Sequence, residues 1–351
     1  MSTKKEKDLQ KASLYVKMSF MKNRKRTKEM TENKEKSRLF TNPVFVVICA
    51  LLCCALWGSA TPFIKMGYAV MFEGGSPDIP STILFAGIRF ALAGFITVLI
   101  YSIARKKVLY PKKENLTRVG IIALFQTIIQ YFFFYVGLAN TSGAKGTILS
   151  GSSSFFAILI STLIFKQEKL TVKKIVACLI GFAGIIAVNL NGLDLNMNLM
   201  GDCFVIFSTV SLAFSSVLIK IFSKHEDPVV ISGYQFMAGG AVMVTVGLIL
   251  GGRVDLSSAK GVLILIYLAF LSAIAYALWG VLLKHNPVSK VTIFSFMTPV
   301  FGVILTKLML PENSNVSPWN MVISLILVCI GVFLLNYTPH KKELSHLGIT
   351  E

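Results

Sequence analysis

Charged residues are scarce in this chain. They make up only 15% of its 351 residues, whereas soluble domains carry about 25%. Apolar runs recur instead from Val44 to Tyr337, and each is about 20 residues long, the length that a helix needs to cross a bilayer. A soluble fold would need a larger core than one domain of this length can hold. The composition excludes a soluble protein and predicts a polytopic membrane protein.

Acidic residues and histidines are missing from the interior of the apolar runs. Glu73 and Asp202 lie at run edges, and all four histidines lie in loops, in tails or at the end of a run. Intramembrane hydrolysis needs a general base or metal ligands, and a cation-exporting proton antiporter uses a membrane carboxylate. The segment from Gly143 lacks the spacing of a phosphate-binding loop. We therefore expect no catalytic site, no metal, no cofactor and no coupling through a core carboxylate.

The chain also lacks paired cysteines and a basic helix of the kind that binds nucleic acid. Its six cysteines form no CxxC pair, and we interpret them as small buried side chains. The net charge of +18 would suit nucleic acid, but 13 of the 35 Lys and Arg lie in the first 43 residues and most others flank apolar runs. This distribution indicates orientation in a membrane and no nucleic-acid partner.

Ten apolar runs, separated by turn clusters, predict ten transmembrane helices. Residues 1–43 are rich in Lys, Glu and Asn and are interpreted as a disordered basic cytoplasmic tail, and residues 338–351 as a C-terminal cytoplasmic tail. The runs lie at 44–71, 81–104, 118–139, 146–165, 172–190, 201–222, 229–250, 261–284, 289–309 and 319–337.

Lysine and arginine divide unequally between the two sets of loops. With the amino terminus inside, the inside segments hold 29 of them and the outside segments hold three, Lys145, Arg253 and Lys260. Because positive loops stay in the cytoplasm, both termini are predicted to be cytoplasmic, in the cell membrane.

The second half of the chain repeats the first at an offset of about 150 residues. Residues 87–90 correspond to residues 233–236, and Tyr131 corresponds to Tyr276. Each copy has five runs, an odd number, so the copies must be inverted in the membrane. The predicted fold is an all-α membrane protein of ten transmembrane helices, built as two inverted five-helix repeats, residues 44–190 and 201–337, with a linker at 191–200.

Several segments together resemble the drug/metabolite transporter superfamily, and within it the EamA family. They are LWGSATPFIKMG from Leu56, IRFALAG from Ile88, YVGLANTSGAKGTIL from Tyr135, YQFMAGG and FMTPVFGVIL. The resemblance covers about residues 44–337 and implies a carrier with a central cavity between its halves, which moves small metabolites such as amino acids, often outward. The chain departs from the family at Ser154, where a proline is common, as at Pro299; this puts the kink of the fourth run in doubt.

Polar side chains within apolar runs are the candidates for lining such a cavity, because burying them costs free energy unless they are paired or hydrated. Arg89 lies near the membrane centre, where it either meets an anionic substrate group or has a structural role. Lys65 and Lys307 lie near run ends and are expected to snorkel. For Trp57 the alternative is packing, and for the other candidates it is interhelical bonding or a place in an interfacial belt. The candidates are Trp57, Gln126, Gln130, Tyr131, Tyr135, Ser154, Tyr234, Gln235, Tyr276, Trp279, Ser295 and Thr298.

The sequence thus predicts a carrier of small metabolites that works by alternating access. The alternatives are an intramembrane enzyme and a channel or receptor. The expected partners are a small-molecule substrate and the lipid bilayer, and a homodimer is left open.

Overall fold

The computed structural model describes residues 38–75, 77–141, 143–190, 198–309 and 317–337, with the backbone alone for Gly143 and Ala144. Most of the predicted tails and of the linker at 191–200 lie outside these ranges. Within them every regular element is helical, and ten helices are long and apolar enough to cross a membrane. The prediction of an all-α membrane protein with ten transmembrane helices is therefore confirmed.

The ten helices follow the predicted runs closely. At the start of the first helix, the Asn42 side chain accepts hydrogen bonds from the backbone amides of Val44 and Phe45. The helices are α1 (Pro43–Met71), α2 (Ile79–Ala104), α3 (Lys113–Ala139), α4 (Lys145–Ile164), α5 (Val172–Asn189), α6 (Leu199–Phe222), α7 (Pro228–Ile249), α8 (Ala259–His285), α9 (Val288–Met309) and α10 (Pro318–Asn336).

Two helices begin with an aspartate followed by a proline in the first turn, a strong start signal. Asp78 accepts a hydrogen bond from the backbone of Ser81 at the start of α2 (2.9 Å). Asp227 accepts one from the backbone of Val229 at the start of α7 (2.9 Å). These caps satisfy amide groups that have no partner within the helix, so the sequence itself fixes where both helices start.

The ends of consecutive helices alternate between two groups, and hydrogen bonds join neighbouring ends within each group. One group, here called the basic side, consists of residues 105–118, 165–174, 220–227 and 283–290. It is joined by bonds from Asn115 to Glu226 (2.9 Å), from Lys220 to the Leu283 carbonyl (3.1 Å) and from the Ser289 amide to Glu168 (3.1 Å).

The other group, here called the opposite side, consists of residues 71–75, 77–81, 139–141, 198–202 and 250–255. The Asp255 amide donates to the Met71 carbonyl (3.2 Å), and the Asn198 side chain donates to the Asn140 carbonyl (2.7 Å). The basic-side ranges hold 14 Lys or Arg and the opposite-side ranges hold one, Arg253.

Glycines let α2 and α7 pack with their backbones almost in contact. A Cβ atom on Gly240 would lie 2.3 Å from the Ala91 backbone nitrogen, and one on Gly94 would lie 2.4 Å from the Gly233 carbonyl oxygen. Real side-chain atoms do not approach backbone atoms so closely, so α2 and α7 meet along a surface without side chains at these points. Small residues are the usual means of such close packing in membranes.

Gly240 therefore provides a test of the α2–α7 contact. We expect Gly240→Ala to force the two backbones apart and to lower the free energy of unfolding by about 1–3 kcal/mol, the usual cost of overpacking. Gly120 on α3 is the matched control, because a Cβ there meets nothing within 4 Å. Thermal melting in detergent should show a lower midpoint for Gly240→Ala and no loss for Gly120→Ala. Equal midpoints would contradict the packing.

Three helices deviate from regular α geometry near the middle of the protein. Helix α3 contains a π-helical segment at Ala123–Ile129. Helix α4 is interrupted at Ser152 without any proline and ends in a π-helical segment at Ile160–Ile164. Helix α9 contains a 3₁₀ turn at Ile293–Phe296, just before Pro299. Such segments often occur at functional sites, and all three helices face the cavity described next.

Candidate functional site

A cavity of about 960 Å³ lies among helices α1–α6, α8 and α9. Its lining includes Gly75, Pro77 and Ala139, which belong to the opposite side, and extends inward as far as Thr292 on α9. Volumes of this size accommodate a small organic molecule. The residues that line the cavity include none from the turns of the basic side, so the cavity reaches one side of the protein only.

Eleven of the thirteen predicted site residues line this cavity. They are Trp57, Arg89, Gln126, Gln130, Tyr131, Tyr135, Ser154, Tyr276, Trp279, Ser295 and Thr298.

Tyr234 and Gln235 do not line the cavity. Their helix, α7, packs behind α2 through the glycine contacts and contributes no residue to the lining. The Tyr234 hydroxyl donates to the Leu109 carbonyl (2.9 Å), and the Gln235 side-chain oxygen accepts from Thr127 on α3 (2.7 Å). Gln235 therefore makes an interhelical hydrogen bond, the alternative expected for it, whereas Tyr234 bonds to the loop between α2 and α3.

Arg89 is a buried cation with no acidic partner among the described residues. Arg89 is 4% exposed. It lies about 15 Å along α2 from the first residue of the helix, Ile79. Its guanidinium donates to the Ser272 hydroxyl (3.0 and 3.2 Å) and to the Leu268 carbonyl (3.3 Å), both on α8. These neutral acceptors hold the group in place but leave its charge uncompensated, and a buried charge is costly unless something balances it.

The charge of the cavity lining has one sign. Lys65 and Arg89 are its two cations, and the lining contains no Asp, Glu or His. Lys65 was expected to snorkel toward the membrane surface. It lies instead on the cavity lining, nearer the opposite side than Arg89. Its ammonium group can therefore reach water through the cavity. The electrostatic potential of this acid-free cavity favours a ligand with negative charge.

Aromatic side chains form the apolar part of the lining and join the two halves of the chain. The hydroxyl groups of Tyr131 on α3 and Tyr276 on α8 are 2.8 Å apart. The ring of Trp57 lies 5.0 Å from the rings of both Tyr276 and Trp279, edge to face. This geometry suits attraction between aromatic rings, so the cluster forms a fixed wall beside Arg89.

Several buried polar atoms of the lining have no hydrogen-bond partner. They are Trp57 Nε1, Gln126 Oε1 and Gln130 Oε1. Nearly all buried polar groups in proteins are paired with protein atoms or water. Unpaired groups that line a cavity therefore point to a solvent molecule or a ligand as their partner.

The inner end of the cavity is closed by contacts between α4 and α9. The Ser154 hydroxyl donates to the Thr292 carbonyl (2.6 Å) and lies 2.5 Å from the Ser295 hydroxyl. Further toward the basic side, Glu168 accepts hydrogen bonds from both the backbone and the hydroxyl of Ser289. The first half of the chain thus caps the start of α9 in the second half.

Glu168 also pairs with Lys174, whose ammonium nitrogen lies 2.7 Å from its carboxylate. Burial alone would raise the pKa of Glu168, but the hydrogen bonds from Lys174 and Ser289 outweigh it and hold the pKa below its ordinary value. Glu168 is therefore ionised at neutral pH, and its stabilising contacts would be lost only as the pH falls through this lowered pKa.

Sequence reasoning missed a second group of lining residues, mostly hydroxyl-bearing side chains on α1, α2, α4 and α6. Serine and threonine are frequent in transmembrane helices because they can bond to their own backbone, as Ser208 and Thr209 do here. Their presence alone is therefore a weak signal. They include Thr61, Thr82, Ser150, Ser208, Thr209 and Ser216.

The described part of the chain contains no group of three or more His, Cys, Asp or Glu that could hold a metal ion. The six cysteines are free thiols, and four of them are buried as expected. Cys329 is exposed on α10, and Cys203 is half-buried.

The fold and its cavity agree with the comparison to known protein families. The profile of the EamA-like transporter family matches residues 44–190 and again residues 199–337. The chain belongs to the EamA-like transporter family. It is therefore a multi-pass membrane transporter, consistent with the drug/metabolite transporter superfamily that the sequence motifs resemble.

Individual relatives carry matching names. An uncharacterized transporter of Synechocystis is 26% identical over 311 residues, which cover 80% of this chain and 89% of the relative. A chloroplastic WAT1-related protein of Arabidopsis thaliana is 22% identical over 288 residues, which cover 79% and 68%. A solved crystal structure aligns with a TM-score of 0.67 at 18% identity, over 83% of this chain and 97% of the other. That likeness concerns the fold alone.

Proposed function

We propose that this transporter is a carrier for small metabolites with an anionic group, such as amino acids or related compounds. The carrier moves them outward across the cell membrane by alternating access. The observation that carries this proposal is Arg89, a buried cation without an acidic partner on the lining of a cavity that contains no acidic residue. A substrate carboxylate would supply the missing counter-charge and form charge-assisted hydrogen bonds with the guanidinium.

Alternating access is supported by the unequal ends of the cavity. The lining reaches the opposite side at Gly75 and Pro77, whereas Ser154, Ser295 and Glu168 close the basic side. A carrier must also adopt the reverse arrangement, with α4 and α9 apart on the basic side. Two inverted five-helix repeats would provide it, because each half can take the conformation of the other. The repeated family match and the five helices in each half agree with this arrangement.

We further propose that the basic side faces the cytoplasm, as the positive-inside rule requires. Single-cysteine variants test this orientation: Glu73→Cys lies on the opposite side and Lys107→Cys on the basic side, and both positions are exposed. In intact cells a membrane-impermeant maleimide should label Glu73→Cys and should leave Lys107→Cys unlabelled until the membrane is permeabilised. The reverse pattern would contradict the orientation.

A carrier is favoured over the two other classes that the sequence left open. Intramembrane hydrolysis typically uses a carboxylate or histidine base or metal ligands, and the cavity lining contains no Asp, Glu or His. A channel needs a continuous path, whereas the α4–α9 contacts close one end of the cavity. Without a carboxylate on the lining, we propose exchange or facilitated diffusion as the mode of transport.

The test is transport by the purified protein in liposomes, measured with a panel of labelled amino acids and small carboxylates. A carrier should show saturable uptake of at least one member that persists after the pH gradient is collapsed at constant membrane potential. Unsaturable flux or chemical conversion of the probe would refute the proposed function.

A further inference from the structure

Two buried amide groups in the cavity are not explained by the contact of an anion with Arg89. Gln126 and Gln130 lie on α3, at and just beyond its π-helical segment. Their side chains are 2% and 7% exposed, both line the cavity, and the side-chain oxygen of each has no hydrogen-bond partner. The cavity therefore contains a pair of unused acceptors in addition to its cation.

Both side chains line the cavity, and that of Gln130 also lies within hydrogen-bonding reach of the Tyr276 hydroxyl on α8. Thr127, next to Gln126 in the chain, donates to Gln235 on the far face of α3 (2.7 Å). Gln235 uses its oxygen in that bond and leaves its Nε2 unpaired away from the cavity, whereas Gln126 and Gln130 leave their acceptor oxygens unpaired on the cavity lining. An acceptor buried without a donor is destabilising, and such a cost is expected where a ligand completes the pairing.

We propose that Gln126 and Gln130 form a second recognition subsite, which accepts hydrogen bonds from an ammonium or hydroxyl group of the transported molecule. This inference rests on the proposed function, in which the anionic group of the same molecule meets Arg89. The two subsites differ in sign, since carbonyl oxygens attract donors and repel anions. The transported molecule accordingly has an anionic end and a donor end, and a plain carboxylic acid is a poor substrate.

The test compares ligands with one carbon skeleton. The probes are hexanoate, 2-aminohexanoate, 6-aminohexanoate, 2-hydroxyhexanoate and 6-hydroxyhexanoate, and their binding to the full-length purified protein is measured by calorimetry. We expect at least one amino or hydroxy acid to bind about tenfold or more tightly than hexanoate, because a site with buried acceptors rejects an analogue that lacks the donor.

Variants of similar side-chain volume test whether Gln126 and Gln130 cause this preference for amino and hydroxy acids over hexanoate. Gln126→Met combined with Gln130→Met should reduce it to about threefold or less, and each single variant should reduce it in part. Gln235→Met is the matched control, since this glutamine is buried outside the cavity, and it should keep the wild-type ratio. Gln130→Glu should favour the amino acids further, because a carboxylate is a stronger acceptor for ammonium.

The outcomes separate this inference from the proposed function. If Arg89→Gln weakens all probes but hexanoate binds as well as the others, the acceptor subsite is refuted and the anion site stands. If the preference survives in the double glutamine variant, the subsite is likewise refuted. If none of the probes binds, or if Arg89→Gln has no effect on any of them, the proposed anion site is itself refuted.

Discussion

Replacing Arg89 with glutamine is expected to weaken binding and transport of an anionic substrate by well over tenfold. A guanidinium and a carboxylate in a partly dry cavity attract each other more strongly than at a protein surface. Removing one partner of such a buried pair costs about 2–5 kcal/mol. Glutamine keeps a polar group at this position, so the variant changes the charge and leaves most of the packing of α2 against α8.

A purely structural role of Arg89 makes a different prediction, and Ser272 distinguishes the two. Arg89 donates to Ser272 and to the Leu268 carbonyl, and these bonds could simply join α2 to α8. Ser272→Ala removes the side-chain partner but leaves the charge in the cavity. If Arg89 serves the substrate, Ser272→Ala should reduce affinity much less than Arg89→Gln, and both variants should melt near the wild-type temperature.

Arg89→Lys refines the same test. Lysine restores the charge but cannot present the planar pair of donors that a carboxylate prefers. We expect it to recover part of the affinity that Arg89→Gln loses. If Arg89→Gln folds and transports normally, or if it unfolds while Ser272→Ala also does, the anion-binding role of Arg89 is wrong.

The second large effect is expected from a cross-link between α4 and α9. The hydroxyl oxygens of Ser154 and Ser295 are 2.5 Å apart, so the side chains at these two positions meet, as the two sulfur atoms of a disulfide must. Oxidation of the double variant Ser154→Cys/Ser295→Cys should lock the basic side closed. Because a carrier must open that side in each cycle, transport should fall to the level of empty liposomes.

Reduction and binding provide the controls for this cross-link. Dithiothreitol should restore transport to the level of the reduced double variant, and oxidation of either single-cysteine variant should have no effect. The locked protein should still bind substrate from the opposite side, because the cavity remains open there. Undiminished transport by fully cross-linked protein would show that α4 and α9 do not separate, and alternating access at this contact would be wrong.

The helices were predictable because hydropathy and capping are local properties of the sequence. Asp78-Ile79-Pro80 and Asp227-Pro228 specify helix starts within a few residues, and the apolar runs specify the lengths. Breaks inside a helix follow different rules. The absence of proline at Ser154 put a kink in α4 in doubt, yet α4 is interrupted at Ser152. Both segments of α4 pack against α5 and α6, and the second packs in addition against the start of α9.

The cavity was predictable in part, because a polar group in an apolar helix must have a reason to be there. That argument pointed to Arg89, Gln126 and Tyr131, and all three lie on the cavity lining. It could not separate a lining residue from one that bonds to a neighbouring helix, as Gln235 does with Thr127. The difference depends on which face of α7 meets α2, and glycine contacts between distant parts of the chain determine that face.

Lys65 is a second residue whose surroundings could not be assigned from the sequence alone. Its place near the end of an apolar run fits snorkelling, and the run itself contains nothing that distinguishes a lipid-facing lysine from one that faces an aqueous cavity. The helices that surround α1 decide the matter, and they place Lys65 on the cavity lining with Arg89. The positive potential of the cavity is therefore a property of the assembled fold.

The most direct test of the central claim is counterflow in liposomes that contain the purified protein. Vesicles are loaded with unlabelled substrate from the transport panel, and uptake of the labelled compound is followed with no pH gradient and no membrane potential. A carrier with one cavity that opens alternately to each side should accumulate label transiently above the outside concentration, and the cross-linked Ser154→Cys/Ser295→Cys protein should not. Label that only equilibrates, without an overshoot in the uncross-linked protein, would contradict alternating access through this cavity.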